Sequence, residues 1–246
     1  MWCLWSAKGG AGCSVVASAS AVLASRRQPV LLVDLGGGDI PCVLGVESGA
    51  HGVADWLLAS NPPVDALARI EVTVADHLDV LFWQGSGIAL PSDGAGPSIE
   101  MSERYRILGR MLAADHRLVV VDLGDLGRID DPLDRNSYSR RLVRDAARRS
   151  TLVSRLCYSA VSAAVSHPSP DDVVLVVEPG RSLRPVDVQS ALGVSRVTTM
   201  RWDPSIARAA DAGMLSSRLP RPLLRLPTDE LTDQMVTVSP DTEVSR

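Results

Sequence analysis

The chain has 246 residues, a formal net charge of −4 at pH 7 and 46% hydrophobic content. That length accommodates one large α/β domain or two small ones; a single domain with a sizeable core is expected. Net negative charge excludes a global attraction to nucleic acid or acidic membrane, so only a local basic patch could supply one.

Aromatic residues make up only 4%, so an aliphatic core is expected. No apolar run approaches the roughly 20 residues that cross a bilayer. The start, MWCLWSAK, lacks a basic n-region, and its apolar run is too short for a signal peptide. These features predict a cytoplasmic protein without membrane insertion. Cys3, Cys13, Cys42 and Cys157 lie far apart without CxxC or Cys/His spacing, so they read as reduced thiols.

In chain order, Cys3 to Ser6 reads as a strand and Ser14 to Ser25 as a helix. A strand Val30 to Asp34 (VLLVD) and a helix Val53 to Ala59 follow. Next come the strand Leu78 to Phe82, the helix Ser102 to Ala114 and the strand Leu118 to Asp122 (LVVVD). The second half repeats the rhythm: strands at Thr151 to Ser154, Val173 to Val177 and Val197 to Met200 alternate with helices at Cys157 to Val165, Pro185 to Leu192 and Pro204 to Ala212. Short, near-continuous apolar strands separated by helices indicate a doubly wound, mainly parallel sheet with helices on both faces. Residues 1–215 are expected to form this domain. Residues 216–246 read as a Pro-rich and polar tail, poorly ordered from Thr237 onward.

Lys8 is the only lysine; the other 24 of the 25 basic residues are arginine. In so biased a composition, a lysine without a specific task would drift to Arg. Lys8 lies in SAKGGAGCS, a glycine-rich turn between the first strand and the first helix. Glycines there let backbone N–H groups curl around phosphate at a helix N-terminus. An ordinary turn is the plainer reading of KGG alone.

SAKGGAGCSVVA, VLLVDLGGGDIPCVLGV and HRLVVVDLGDL together resemble the ParA/MinD family of deviant-Walker P-loop ATPases (SIMIBI class). The second half, with LVSRLCYSAV, VVLVVEPGRSLRPVDV and RWDPSIARAADAGMLSSRLP, resembles MinD/ParA-like chains of actinobacteria, CpaE/TadZ-like, some of which accompany Flp/Tad-type pilus genes. The resemblance implies ATP and Mg²⁺ as ligands, a homodimer, and a nucleotide site at Lys8, Gly9, Gly10, Ala11, Gly12, Cys13 and Ser14. It places Mg²⁺ at Ser14, Asp34 and Asp122. Lys8 matches the family's signature lysine, which reaches phosphate of the partner's nucleotide across the dimer interface.

Three departures weaken that site. Cys13 stands where the family has the lysine that holds the β and γ phosphates, and Ala7 replaces a glycine at the loop start. A lost charge-assisted hydrogen bond of about 1.5–3 kcal/mol weakens binding roughly 10- to 100-fold. At a helix N-terminus a thiol pKa falls, and a thiolate would repel phosphate. Cys13 is therefore either a redox-sensitive or nucleotide-blind element, or a small uncharged filler. Secondly, Gly36 occupies the second place of the family's DxD, leaving no local carboxylate to position the attacking water. Asp39 substitutes only if the loop Gly36 to Gly38 folds it back. Thirdly, Glu178 and Pro179 stand where the family often places an adenine-reading Asn.

Asp122 ends LVVVD either as a Walker B carboxylate or as a strand-end Asp starting a turn with Gly124. Asp125 and Asp130 read as solvated loop residues. From Arg128 to Arg149, seven Arg accompany four Asp. By resemblance this stretch is a nonspecific DNA surface; by spacing, Arg140, Arg141, Arg144 and Arg148 read as a solvated, ion-paired helix with Asp145. The four histidines are scattered and suggest no catalysis. Pro220, Pro222 and Pro227 forbid a continuous amphipathic membrane helix over Leu219 to Val236. Trp202 reads as a sheet-edge cap or a partner contact. The resemblance implies an ATP-binding positioning or assembly regulator, for example of a pilus or secretion machine, with impaired hydrolysis. Its alternatives are a weak partitioning or division-site ATPase on DNA, and a nucleotide-free pseudo-ATPase scaffold.

Overall fold

The computed structural model describes residues 1–60, 62–63, 65–84, 99–127 and 135–228, with the side chains of 135 and 136 excepted. Arg128, Asp130 and the expected disordered end, Thr237 to Arg246, lie outside the described residues.

Runs rich in Val and Leu form buried strands at β1 (Trp2–Ser6), β2 (Val30–Asp34), β4 (Leu78–Leu81), β5 (Leu118–Asp125), β6 (Arg149–Arg155) and β7 (Asp172–Val177). Two further strands, β3 (Val72–Ala75) and β8 (Val197–Arg201), close the edges. The helices are α1 (Cys13–Ser25), α2 (Ile40–Leu44), α3 (Val53–Leu58), α4 (Ala66–Arg69), α5 (Ile99–Ala114), α6 (Arg135–Arg144), α7 (Tyr158–Ala164), α8 (Pro185–Leu192) and α9 (Pro204–Asp211). A 3₁₀ turn follows at Arg221–Arg225.

Among the described residues the strands form one eight-stranded sheet in the order β3-β4-β2-β5-β1-β6-β7-β8. All pairings are parallel except β3 with β4, an antiparallel hairpin. The chain winds outward through β2 and β4, returns through β5, and builds β6 to β8 on the other side of β1. This reversal opens a crevice at the carboxyl ends of the central strands, the usual ligand position in such sheets.

Alternate β1 side chains serve opposite faces: Trp2 and Leu4 enter one core cluster, Cys3 and Trp5 the other. Fully burying each large apolar side chain stabilises the fold by about 1.5–3 kcal/mol. The core is largely aliphatic, but two indoles sit at its centre. Each indole N–H is satisfied, Trp2 donating to Thr151 Oγ1 at 2.7 Å and Trp5 to Ser150 Oγ at 2.9 Å.

Three details differ from the sequence reading. β5 runs three residues past Asp122, because Asp125 still pairs with Ser6 across a local irregularity in β1. The hairpin strand β3 and the short helices α2 and α4 went unread; all are too short for a periodic signal, and β3 alternates half-buried and exposed residues on an edge. Leu223 and Leu226, in the expected tail, are buried in the core. Trp202 follows edge strand β8, with half its surface exposed.

Candidate functional site

The turn between β1 and α1 is shaped by two left-handed glycines, Gly10 (φ 76°) and Gly12 (φ 89°), where side chains would be strained. Gly12 is the N-cap of α1 and supplies no side-chain cap, so the first N–H groups of α1 receive no cap from it. The turn borders a cleft of about 580 Å³, walled also by Asp39, Cys42 and Val43 of the α2 region, Asp125 of β5, and Ala210 and Asp211 of α9.

Asp34 and Asp122 lie side by side at the carboxyl ends of β2 and β5, in register and fully buried. Asp34 Oδ1 accepts the N–H of Gly36 at 3.0 Å and of Gly38 at 3.3 Å, and Asp122 Oδ1 accepts the N–H of Gly124 at 2.9 Å. Oδ2 of each has no donor of sound geometry. Burial, then the neighbouring Asp122, pushes the Asp34 carboxyl up to about 7, against the pull of the glycine N–H groups. Burial also raises Asp122, eased by the nearby Ser14 hydroxyl, Cys13 thiol and Gly124 N–H. Ser14 and Asp34, two of the residues the resemblance implies, thus both lie beside the third, Asp122.

Cys13 is 6% exposed, and burial followed by Asp122 raises its thiol well above the ordinary value. The expected lowering at a helix N-terminus is overturned: desolvation and a buried carboxylate outweigh the helix end. Of the two readings, the uncharged filler is the one the geometry matches.

Gly36 has a packing cause. A Cβ there would lie 2.9 Å from Asp122 Oδ2 and 3.1 Å from the Gly124 backbone, so the β2 and β5 ends approach too closely for a side chain. Asp39 borders the same cleft, exposed, and raises Asp122 by its charge. Asp125 is not a solvated loop residue. It ends β5, half-buried; its Oδ1 accepts the Gly127 N–H at 2.8 Å, and a Cβ on Gly9 would lie 3.3 Å from its Oδ2. The only signal for it was its place three residues after Asp122.

Among the described residues, the cleft lining includes three carboxylates and no lysine or arginine. Lys8 is on the other side of the turn. Its Nζ donates to Ser159 Oγ at 3.0 Å, and it lines a separate cavity with Arg155, Cys157 and Arg181. Glu178 is ion-paired to both Arg155 and Arg181.

Four described arginines of this stretch, Arg140, Arg141, Arg144 and Arg149, turn inward. Arg140 donates to the Leu123 and Asp125 carbonyls, each at 2.7 Å, and Arg141 to the Leu126 carbonyl at 2.7 Å. Arg144 stacks on Trp5, 5.1 Å from the ring centroid, and Arg149 bonds Asp172 at 2.6 Å. Arg141 and Arg144 are 8% and 7% exposed, so the expected solvated face is corrected at these positions, where the guanidinium groups fasten α6 to the end of β5 and to the core; the expected ion pair is present between Arg144 and Asp145, and Arg148 is exposed.

No family model matches the sequence, and no curated protein does. Solved structures match over nearly the whole chain. The septum site-determining protein MinD of Pyrococcus horikoshii OT3, complexed with Mg-ADP, has 16% identity and a TM-score of 0.63, covering 96% of this chain and 99% of that one. A ParA family ATPase from Chlorobium tepidum TLS has 16% identity and a TM-score of 0.61, with the same coverage. The fold is that of the MinD and ParA ATPases. An ATP complex of a Cyanothece McdA variant aligns as well, at 16% identity and a TM-score of 0.65 over 100% of this chain and 99% of that one. What these MinD/ParA structures share with the chain, at such identities, is the fold, the doubly wound and mainly parallel architecture read from the sequence.

Proposed function

We propose that the chain is a MinD/ParA-like regulator that positions or assembles another cellular machine, binds ATP with Mg²⁺ weakly, and hydrolyses it poorly if at all. The observation that carries this reading is the adjacent, fully buried carboxylates Asp34 and Asp122, whose Oδ2 atoms lack a well-aligned donor among the described residues, with Ser14 close to Asp122. Buried carboxylate oxygens without donors are costly unless a cation completes them. Ser14, Asp34 and Asp122 fit Mg²⁺, which prefers oxygen ligands from one or two carboxylates. The metal, when bound, supplies the positive charge that polyphosphate requires.

The N–H groups of residues 9 to 14 would hold phosphate, while Cys13 contributes no charge. Asp39, Asp125 and Asp211 repel a polyanion, so nucleotide without metal is disfavoured. Gly36 leaves the water-positioning place empty of a carboxylate; Asp39 borders that space from α2. Lys8, aimed away from its own cleft, suits the homodimer interface that the resemblance implies. A cytoplasmic protein partner, such as a pilus or secretion apparatus, belongs to this reading. The inward-facing arginines of α6 lend no support to the DNA alternative.

The cation-free cleft favours one rival, a nucleotide-free scaffold. Calorimetry and thermal shift with ATP and ADP, each with and without MgCl₂, decide between them. Binding near the millimolar range that depends on Mg²⁺ supports the regulator. No heat and no thermal shift at millimolar nucleotide sinks it in favour of the scaffold.

A further inference from the structure

Three cations from separate segments surround the second cavity, of about 290 Å³: Lys8 from the turn after β1, Arg155 from the end of β6, and Arg181 from the turn after β7. One carboxylate, Glu178, offsets them. Cys157 and Ser159 line the same space. Cys157 Sγ lies 3.5 Å from Ser159 Oγ, and that oxygen already accepts from Lys8 Nζ, which leaves the Ser159 hydroxyl proton free to point at the sulfur. The thiol is half-buried, beside the exposed Tyr158 and Ser159, so the cavity is open to small solutes.

We propose that Cys157 is a covalent modification site for anionic low-molecular-weight disulfides, which seat their carboxylates on Lys8, Arg155 and Arg181. The Cys157 thiolate attacks one sulfur of R–S–S–R. A Cys157–S–S–R bond forms, the original S–S bond breaks, and R–S⁻ departs with the electron pair. Cys157 is oxidised, and the departing half of the reagent is reduced.

Partial burial raises the Cys157 thiol pKa, but the Ser159 hydroxyl, the Ala160 N–H, Arg181 and Lys8 together outweigh it and bring the net value below the ordinary one. The other thiols lack this setting. Cys3 is buried and pushed up to about 12, Cys13 is buried beside Asp122, and Cys42 is exposed on the rim of the acidic cleft. An attached group occupies the space into which Lys8 points and displaces it from Ser159. The inference needs no nucleotide and stands whether or not the cleft binds one.

The test treats the full chain, without nucleotide, with dianionic dithiobis(nitrobenzoate) and with neutral dithiodipyridine. Released chromophore and peptide mass report the rate at each cysteine. With the dianion, Cys157 is expected to react about tenfold faster than Cys42, and this fast phase disappears in Cys157→Ser. Arg181→Gln is expected to lower the dianion-to-neutral rate ratio at Cys157 by about threefold. Because the ratio is taken within one protein, altered folding does not imitate that change. Equal rates at Cys157 and Cys42, or a ratio unmoved by Arg181→Gln, overturn the proposal.

Discussion

The two sides of the Lys8 to Ser14 turn carry opposite charge. One side opens on a cleft with Asp39, Asp125 and Asp211 on its walls, and the buried pair Asp34 and Asp122 lies against Gly36 and Gly124 of its lining; the other opens on Lys8, Arg155 and Arg181. A loop that grips phosphate by itself would place its cation inside the cleft, where Cys13 stands instead. The turn carries left-handed glycines at Gly10 and Gly12, has Cys13 on its cleft side, and keeps Lys8 on its outer face. Shape and charge are therefore separable here, and the acidic side depends on an added cation.

The largest expected effect probes the base of the cleft. Asp34 has a folded pKa of about 7, above its unfolded value, so the native state holds a proton that the unfolded chain releases between about pH 4 and pH 7. Stability of the metal-free protein, measured by urea denaturation in chelator, should thus fall as pH rises through that window. The fall is on the order of 4 kcal/mol at most, and Asp34→Asn should flatten it. A stability that rises with pH would mean the pair is not crowded.

Next in size is Gly36→Asp, which introduces the carboxylate that the ParA/MinD resemblance implies at this position. Its Cβ would meet Asp122 and the Gly124 backbone, so a destabilisation of about 3 kcal/mol is expected from overpacking and like charge. An unchanged melting midpoint would show room for a water-positioning carboxylate. The smallest effect belongs to the basic side. Lys8 is exposed, and Lys8→Ala should change stability by less than about 0.5 kcal/mol. A larger loss would make the Ser159 contact structural.

Much of the fold, though not this contrast, was legible beforehand. Alternating apolar runs and helices specify the doubly wound sheet, and the resemblance, not any local pattern, placed Ser14, Asp34 and Asp122 at one site; parallel strands then deliver the carboxyl ends of β2 and β5 to one edge. The thiol at Cys13 was ambiguous, since a helix N-terminus and burial push its pKa in opposite directions and only tertiary packing decides. The α6 arginines look solvated by spacing, yet carbonyls at the end of β5 and the face of Trp5 draw them inward. The basic pocket joins residues about 150 positions apart, as in the Lys8 to Ser159 contact, and no local pattern announces it.

The central claim is that the cleft keeps the cradle but lacks its cation. Titration of the wild-type chain and of Cys13→Lys with ATP, with and without Mg²⁺, tests it most directly. The account predicts weak, Mg²⁺-dependent binding to the wild type and binding roughly 10- to 100-fold tighter to the folded variant. Wild-type binding that is equally strong without Mg²⁺, or a folded Cys13→Lys that binds no more tightly, would contradict it.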